Sequence, residues 1–276
     1  MFTLNCKGRL LVLDKPIVMG IINATPDSFY TGSRFTGTDA ILDIAEKMIS
    51  DGATILDIGG QSTRPESEII SADEELKRVI RPIEAISKRF PEAYVSIDTY
   101  YSVVAKEALH AGAVIINDIS AGKLDDQMIP VVSSLQVPYI LMHMQGTPQT
   151  MQKAPQYENI CKEVLDFFKN QVKEIRDAGI TDVIIDPGFG FGKTIGHNFQ
   201  LLKNLSIFKI LGLPLLAGLS RKSTIYKTLK ISPEDSLNGT TVLNTISLLN
   251  GASILRVHDV KEAVEAIKLF AEYQGA

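Results

Sequence analysis

Tyr94-Val95-Ser96-Ile97-Asp98-Thr99 is a short, β-prone run that stops on a carboxylate and a hydroxyl, and seven other runs follow the same rule. Ile17 to Ile22 leads to Asn23, and Thr54 to Leu56 to Asp57. Val114 to Ile116 leads to Asn117-Asp118, Tyr139 to Met142 to His143, and Val183 to Ile185 to Asp186. Pro214 to Ala217 continues through Gly218-Leu219 to Ser220-Arg221-Lys222, and Ser253 to Leu255 ends at Arg256-Val257-His258. Helical patterns separate the runs. Strand alternating with helix eight times is the rhythm of an α/β (β/α)8 TIM barrel, in which active sites occupy the carboxyl ends of the strands. One rim is therefore expected to collect amides, carboxylates and cations.

The bulk properties agree. A chain of 276 residues suits a single barrel domain over 1–276 better than two small domains. Residues 1–15 read as a short N-terminal hairpin turning at Asn5-Cys6-Lys7-Gly8, placed to plug the bottom of the barrel. A net charge of −4, from 28 basic and 32 acidic side chains, argues against a nucleic-acid partner. No apolar run approaches the ~18 residues of a membrane span. The first fifteen residues show no signal-peptide core, so the expected location is cytoplasmic. Cys6 and Cys161 belong to no CxxC pair and are expected to be unpaired thiols.

The helices carry their own punctuation. Ser71-Ala72-Asp73-Glu74 fits a capping box, and Ser232-Pro233-Glu234-Asp235 offers an N-cap followed by proline and first-turn acids. Gly52, Gly112, Gly179 and Gly251 each suit a helix exit just before a strand. Apolar residues at Ile41, Ile44, Ala45, Met48 and Ile49 give one helix a buried face, and Val164, Phe167, Phe168, Val172 and Ile175 give another. His110, at a helix end, and His197, opening a helix, read as solvated or capping.

Three residues on separate strands, Asp98, Asn117 and Asp186, are expected to face the top of the barrel. Each alone is readable as a cap on the following helix, Asp98-Thr99 above all; three together offer acceptors and an amide to a flat, donor-rich heterocycle such as an amino-pyrimidinone. Arg256 and His258 alternate and so share a side of their strand end, with Lys222 beside them. A guanidinium, an imidazole and an ammonium suit phosphate oxygens. Paired glycines in Gly59-Gly60-Gln61-Ser62-Thr63-Arg64-Pro65 permit close approach to a ligand. Asn23 is suited to lend a carbonyl oxygen to Mg²⁺, which takes few protein ligands beside phosphate oxygens and water. Gly188-Phe189-Gly190-Phe191-Gly192-Lys193-Thr194 is a decoy: Pro187 stands where a Walker A loop needs glycine, and Lys193 where a dinucleotide fingerprint does.

Taken together, these segments resemble the dihydropteroate synthases. The resemblance rests on Ile22-Asn23-Ala24-Thr25-Pro26-Asp27-Ser28-Phe29, Asp57 to Pro65, Ser96-Ile97-Asp98-Thr99, Ile116-Asn117-Asp118, Asp186 to Lys193, Gly218 to Ser223 and Arg256-Val257-His258-Asp259. They occur in the family's order over nearly the whole chain. The resemblance implies condensation of 4-aminobenzoate with a dihydropterin methyl diphosphate, with Mg²⁺ as cofactor and sulfonamides as inhibitors of the class. It implies pterin contacts from Asp98, Asn117, Asp186 and Lys222, with Met142 lining the pocket. It places Thr63, Arg256 and His258 on the diphosphate and Asn23 on Mg²⁺. Arg64, Pro65, Phe29, Phe191 and Ser223 fall on the aminobenzoate side, with Asp27 and Arg64 on two closing loops and Lys222, Arg64 and Asp27 as the catalytic set. It also implies a homodimer formed through helices near the C-terminal third. Two departures stand out: Glu66 follows Thr63-Arg64-Pro65, and Tyr30-Thr31-Gly32-Ser33 follows Asp27-Ser28-Phe29, where the family often has glycine and Ser-Asp-Gly-Gly. A methyltetrahydrofolate-dependent methyltransferase and a non-catalytic pterin-binding barrel share the pterin-contact pattern and are the competing readings.

Overall fold

The carboxyl-terminal ends of eight parallel strands define one rim of the protein. A computed structural model describes residues 1–25, 37–61 and 69–276. After a hairpin of β1 (Phe2–Cys6) and β2 (Arg9–Leu13) come the barrel strands β3 (Ile17–Asn23), β4 (Ile55–Gly59), β5 (Tyr94–Asp98), β6 (Ile115–Asp118), β7 (Tyr139–Met142), β8 (Val183–Asp186), β9 (Leu216–Ala217) and β10 (Ile254–Val257). Their order is β8-β7-β6-β5-β4-β3-β10-β9. The circle closes where the Ile185 N–H donates to the Pro214 carbonyl at 3.0 Å and Ile185 bridges Leu215. The expected eight strands and the barrel are thus present, and six of the strands run one to three residues further than their apolar cores. Each extension begins with a polar residue, since a parallel ladder pairs backbone regardless of side chain.

The helices around the barrel are α1 (Gly37–Ser50), α2 (Ala72–Arg89), α3 (Ser102–His110), α4 (Met128–Leu135), α5 (Ile160–Asp177), α6 (Ile195–Lys203), α7 (Ser223–Leu229), α8 (Leu237–Leu249) and α9 (Val260–Gly275). Among the described residues no helix is long and apolar enough to cross a membrane. The four expected helix-exit glycines all take positive φ, from +92° to +119°. Ser71 caps α2 by accepting from the Glu74 N–H, while the Glu74 carboxylate turns to Arg78 at 3.0 Å instead of closing the box. Thr194 and His197 form a reciprocal capping box on α6, and His110 is exposed beside Glu107, as the sequence suggested. In α1, Ile41 and Ala45 are buried, but Ile44 is 38% exposed: the apolar stripe is narrower than its pattern. Cys6 and Cys161 are free thiols.

The hairpin closes the opposite end of the barrel. Lys7 and Gly8 both have positive φ, +54° and +86°, as a two-residue type I′ turn demands. Alternation then turns Leu4, Cys6, Leu11 and Leu13 inward against Met19, Ile55, Ile115, Ile140, Ile184, Leu216 and Ile254, one apolar layer across the barrel floor. Arg9 holds this plug in place. Its guanidinium lies 3.7 Å from the Tyr94 ring centroid and donates to the carbonyls of Pro91 and Ala93. Arg9→Ala is expected to lower stability by about 1–2 kcal/mol, read by urea denaturation. Turnover should stay unchanged, because the rim lies at the other end; a loss of turnover in folded protein would contradict that separation.

Candidate functional site

Strand register places the rim residues side by side. Asn23 pairs with Gly59, Gly59 with Asp98 and Asp98 with Asn117, one row across four strands, while Met142 pairs with Asp186. Arg256 of β10, whose register partner on β3 is Met19, reaches past that strand to β4 and β5. Its Nε donates to Asp57 Oδ2 and its Nη2 to Asp98 Oδ2, both at 2.6 Å. Asn117 Nδ2 donates to the same Asp57 oxygen at 2.9 Å. Asp57 is fully buried, and its other oxygen has no hydrogen-bond partner among the described residues. Sequence reading recognised Asp57 as a strand end and assigned it no role, yet it is the hub joining the cation to the amide.

The charges are mutually dependent. Burial raises the Asp98 carboxyl above the ordinary range, and Arg256 opposes that rise. Burial disfavours the Arg256 charge, but Asp57 and Asp98 together hold it firmly protonated. Asp186 is also raised by burial, with Lys222 and the Gly188 N–H, which donates to its Oδ1 at 2.8 Å, pulling the other way. Burial brings the Lys222 ammonium down to about 8, against the attraction of Asp186.

Lys222 stands at the N-cap of α7, just after Arg221, whose φ of +54° is rare for a bulky residue. That turn is fastened by a bidentate contact from Arg221 to Asp259 at 2.9 and 2.6 Å. Arg221 is therefore a brace for the loop, not part of the rim's cationic cluster. Ser220 Oγ lies 3.0 Å from His258 Nδ1 and accepts from the His258 N–H, so the β9 and β10 loops are tied twice. Lys222 Nζ donates to the Phe189 carbonyl and lies 4.7 Å from the Phe191 ring centroid. Met142 is buried with Tyr100 and Ile119 in a small apolar cluster against which Phe191 packs. Ser223 opens α7 and is half-buried; Asn23 is exposed at the end of β3.

Asp98, Asn117, Met142, Asp186, Phe191, Lys222, Ser223, Arg256, His258 and Asn23 thus all belong to this end of the barrel. Asp27, Phe29, Thr63, Arg64 and Pro65 lie outside the described residues, as do Tyr30 and Glu66. Two buried groups escaped sequence reading. Lys193 sits in the decoy loop with its ammonium against His143. Glu75, fully buried, accepts from the Thr99 hydroxyl next to Asp98. The sequence signal for Glu75 was ambiguous: a first-turn acid ordinarily serves the helix dipole.

Chemically, one side of the rim presents carboxylates and an amide, which match adjacent N–H donors of a planar heterocycle. The other side presents Lys222, Arg256 and His258, which match an anionic leaving group. Comparison with known proteins points the same way. The family model described as pterin binding enzyme matches residues 19–258. A dihydropteroate synthase of Escherichia coli K12 is 44% identical over 265 residues, covering 95% of this chain and 93% of that protein. The Yersinia pestis dihydropteroate synthase, solved with a sulfonamide drug complex, superposes with a TM-score of 0.94 at 41% identity over the full length of both chains. The Xanthomonas albilineans dihydropteroate synthase in complex with 7,8-dihydropteroate gives 0.90 at 38% identity, again over both full lengths.

Proposed function

The chain belongs to the pterin binding enzyme family, and we propose a division of labour for its rim in the reaction it catalyses. That reaction is dihydropteroate synthesis in folate biosynthesis: 4-aminobenzoate condenses with 6-hydroxymethyl-7,8-dihydropterin diphosphate, and pyrophosphate leaves. The observation that carries the proposal is the cluster of buried Asp57, Asn117 and Asp186 with the partly buried Asp98, set against Arg256 and Lys222.

Asp98, Asn117, Asp186 and Lys222 hold the pterin, with Met142 against its face. Arg256, His258 and Thr63 receive the diphosphate. Phe191, Ser223, Phe29, Arg64 and Pro65 form the aminobenzoate side, and Asp27 and Arg64 close over it. The bond from the pterin methylene carbon to the diphosphate oxygen breaks with its electron pair leaving on the diphosphate. Positive charge then spreads into the pterin ring, where the surrounding carboxylates favour it. The aromatic amine attacks that carbon and afterwards loses a proton to solvent. No nucleophilic side chain is required; orientation and fixed charge carry the rate.

Mg²⁺ fits as a partner of this leaving group. Among the described residues no cluster of three or more His, Cys, Asp or Glu could hold a metal. Asn23, exposed at the rim, offers a single oxygen, the donor set expected of an ion held mainly by phosphate oxygens and water. When bound, the ion would stabilise negative charge on the departing diphosphate. We further propose that residues 1–276 work as one domain in the cytoplasm, as a homodimer through helices of the C-terminal third. Leu229, Val242, Leu249 and Leu269 there are half or more exposed, ranging from 50% to 73%.

The primary test is pyrophosphate release with dihydropterin methyl diphosphate and Mg²⁺, with and without 4-aminobenzoate. Pyrophosphate with dihydropteroate formed only when the amine is present is the expected result, and no release from folded protein would overturn it. Arg64→Ala should cut condensation about 100-fold while pterin affinity by calorimetry stays within about twofold of the parent. Equal loss of both would end the division of roles.

A further inference from the structure

Lys193 is the most thoroughly buried cation in the described chain that makes no hydrogen bond to a carboxylate, with 3% of its surface exposed. Its Nζ lies 2.9 Å from His143 Nδ1, 3.1 Å from the His143 carbonyl, 3.0 Å from the Gly188 carbonyl and 2.9 Å from the Phe191 carbonyl. Two acceptors belong to the residue just after β7 and two to the loop that follows β8. Burying an ammonium is costly unless it is hydrogen-bonded: burial pulls the Lys193 pKa well below its ordinary value, Asp186 pulls it back up, and a lysine whose hydrogen bonds all go to neutral acceptors needs a reason.

The loop supplies one. Gly188, Gly190 and Gly192 have positive φ, +70°, +82° and +60°, and that backbone presses against β7. A Cβ on Gly188 would stand 2.0 Å from the His143 carbonyl oxygen, and one on Gly192 would stand 2.4 Å from that of Gln145. The carbonyls of His143, Gly188 and Phe191 all lie within 3.1 Å of the Lys193 Nζ, so the ammonium is the donor on which the two segments converge. Burial, reinforced by the Lys193 charge, brings the His143 imidazole down to about 2, so a neutral ring faces the ammonium. The other side of the same loop meets the reacting centre: the Phe189 carbonyl accepts from Lys222, and the Phe191 ring lies against the Lys222 ammonium.

We propose that Lys193 is a positioning residue for this reaction, pinning the Gly188–Gly192 loop to the end of β7 so that the loop in turn sets the Lys222 ammonium and the Phe191 ring. The proposal rests on the pterin and aminobenzoate roles given above for Lys222 and Phe191. The position is conformational: no bond is made or broken at Lys193, and no substrate touches it.

The test is a double-substitution cycle with Lys193→Met, Lys222→Met and both together, read as kcat/KM for dihydropterin methyl diphosphate. Lys193→Met is expected to lose between tenfold and a hundredfold, roughly the effect of displacing a contact group by an ångström. In the Lys222→Met background the same change should cost about threefold or less, because its route runs through Lys222. A purely structural lysine would lower the melting temperature and leave the kinetic losses multiplying in full; that result, or wild-type kinetics in Lys193→Met, would overturn the proposal. If Lys193→Met does not fold, Lys193→Ala assayed with methylammonium serves instead. Recovery with methylammonium and none with tetramethylammonium, which has charge but no N–H, is expected; no recovery in folded Lys193→Ala, or equal recovery with both, would refute the ammonium's role as the pin. Wild-type protein is the control in every arm: absent turnover there would indict the assigned reaction, whereas losses confined to the substitutions bear on Lys193.

Discussion

Arg256→Met should cost the folded protein about 3–5 kcal/mol at pH 8, the usual penalty for removing one partner of a buried ion pair. The guanidinium is 17% exposed and serves two carboxylates at once, Asp57 with no exposed side chain and Asp98 with 11%. Methionine fills the volume and leaves both acids without their cation. The pH dependence identifies the cause. The folded Asp98 carboxyl is raised above its unfolded value by burial, and Arg256 is what limits the rise. A raised carboxyl costs stability as pH climbs from its unfolded pKa towards its folded one, because the unfolded chain sheds the proton first. Without Arg256 the folded value climbs further and the cost grows. The gap between parent and variant, measured by urea denaturation, should therefore be wide at pH 8 and narrow at pH 5. A gap independent of pH would mean that packing, not charge, is what Arg256 supplies. Arg256→Lys should recover little, since one ammonium cannot span two acceptors as a planar fork does.

That same residue shows where sequence reading stops. Asp98, Asn117, Asp186, Lys222 and Arg256 were legible because each ends a β-prone run, and the barrel rule then sends strand ends to one rim. Asp57 ends such a run too, but its meaning depends on Arg256, 199 positions away. Pairing at that distance leaves no local pattern. Lys193 was hidden differently. The glycines around it invite comparison with phosphate loops, whereas their positive φ values serve a turn that packs its backbone against the carbonyls of His143 and Gln145. Hydrophobic periodicity marked the helices well, yet Ile44 fits the apolar stripe of α1 and stands 38% exposed. A stripe records which face turns inward, not how far the neighbouring layer extends to cover it. The hairpin was readable throughout, since its turn and its alternation are both local.

Glu75→Gln should make the protein more stable at pH 8, by about 1–3 kcal/mol. Glu75 is fully buried in the first turn of α2. One carboxyl oxygen accepts from the Thr99 hydroxyl at 2.9 Å, and the other has no partner among the described residues. Burial pushes this carboxyl up to about 7, the Thr99 hydrogen bond resists, and Asp98 adds repulsion. An unfolded glutamate releases its proton near pH 4.3. Between that pH and about 7 the unfolded state binds fewer protons than the folded one, so stability falls as pH rises and then levels off. The full fall is roughly 4 kcal/mol at about 1.4 kcal/mol per unit. Glutamine keeps an acceptor for Thr99 and has no proton to lose, so this component of the pH dependence disappears. Its amide leaves one buried N–H unmatched, which offsets part of the gain and sets the lower end of the range. The advantage should shrink as pH falls and vanish near pH 4, where the glutamate is protonated in both states. Melting curves of both proteins from pH 4 to 8 decide the matter. A variant equally offset at every pH, or less stable than the parent at pH 8, would mean that Glu75 is charged in the folded protein and held by something other than Thr99.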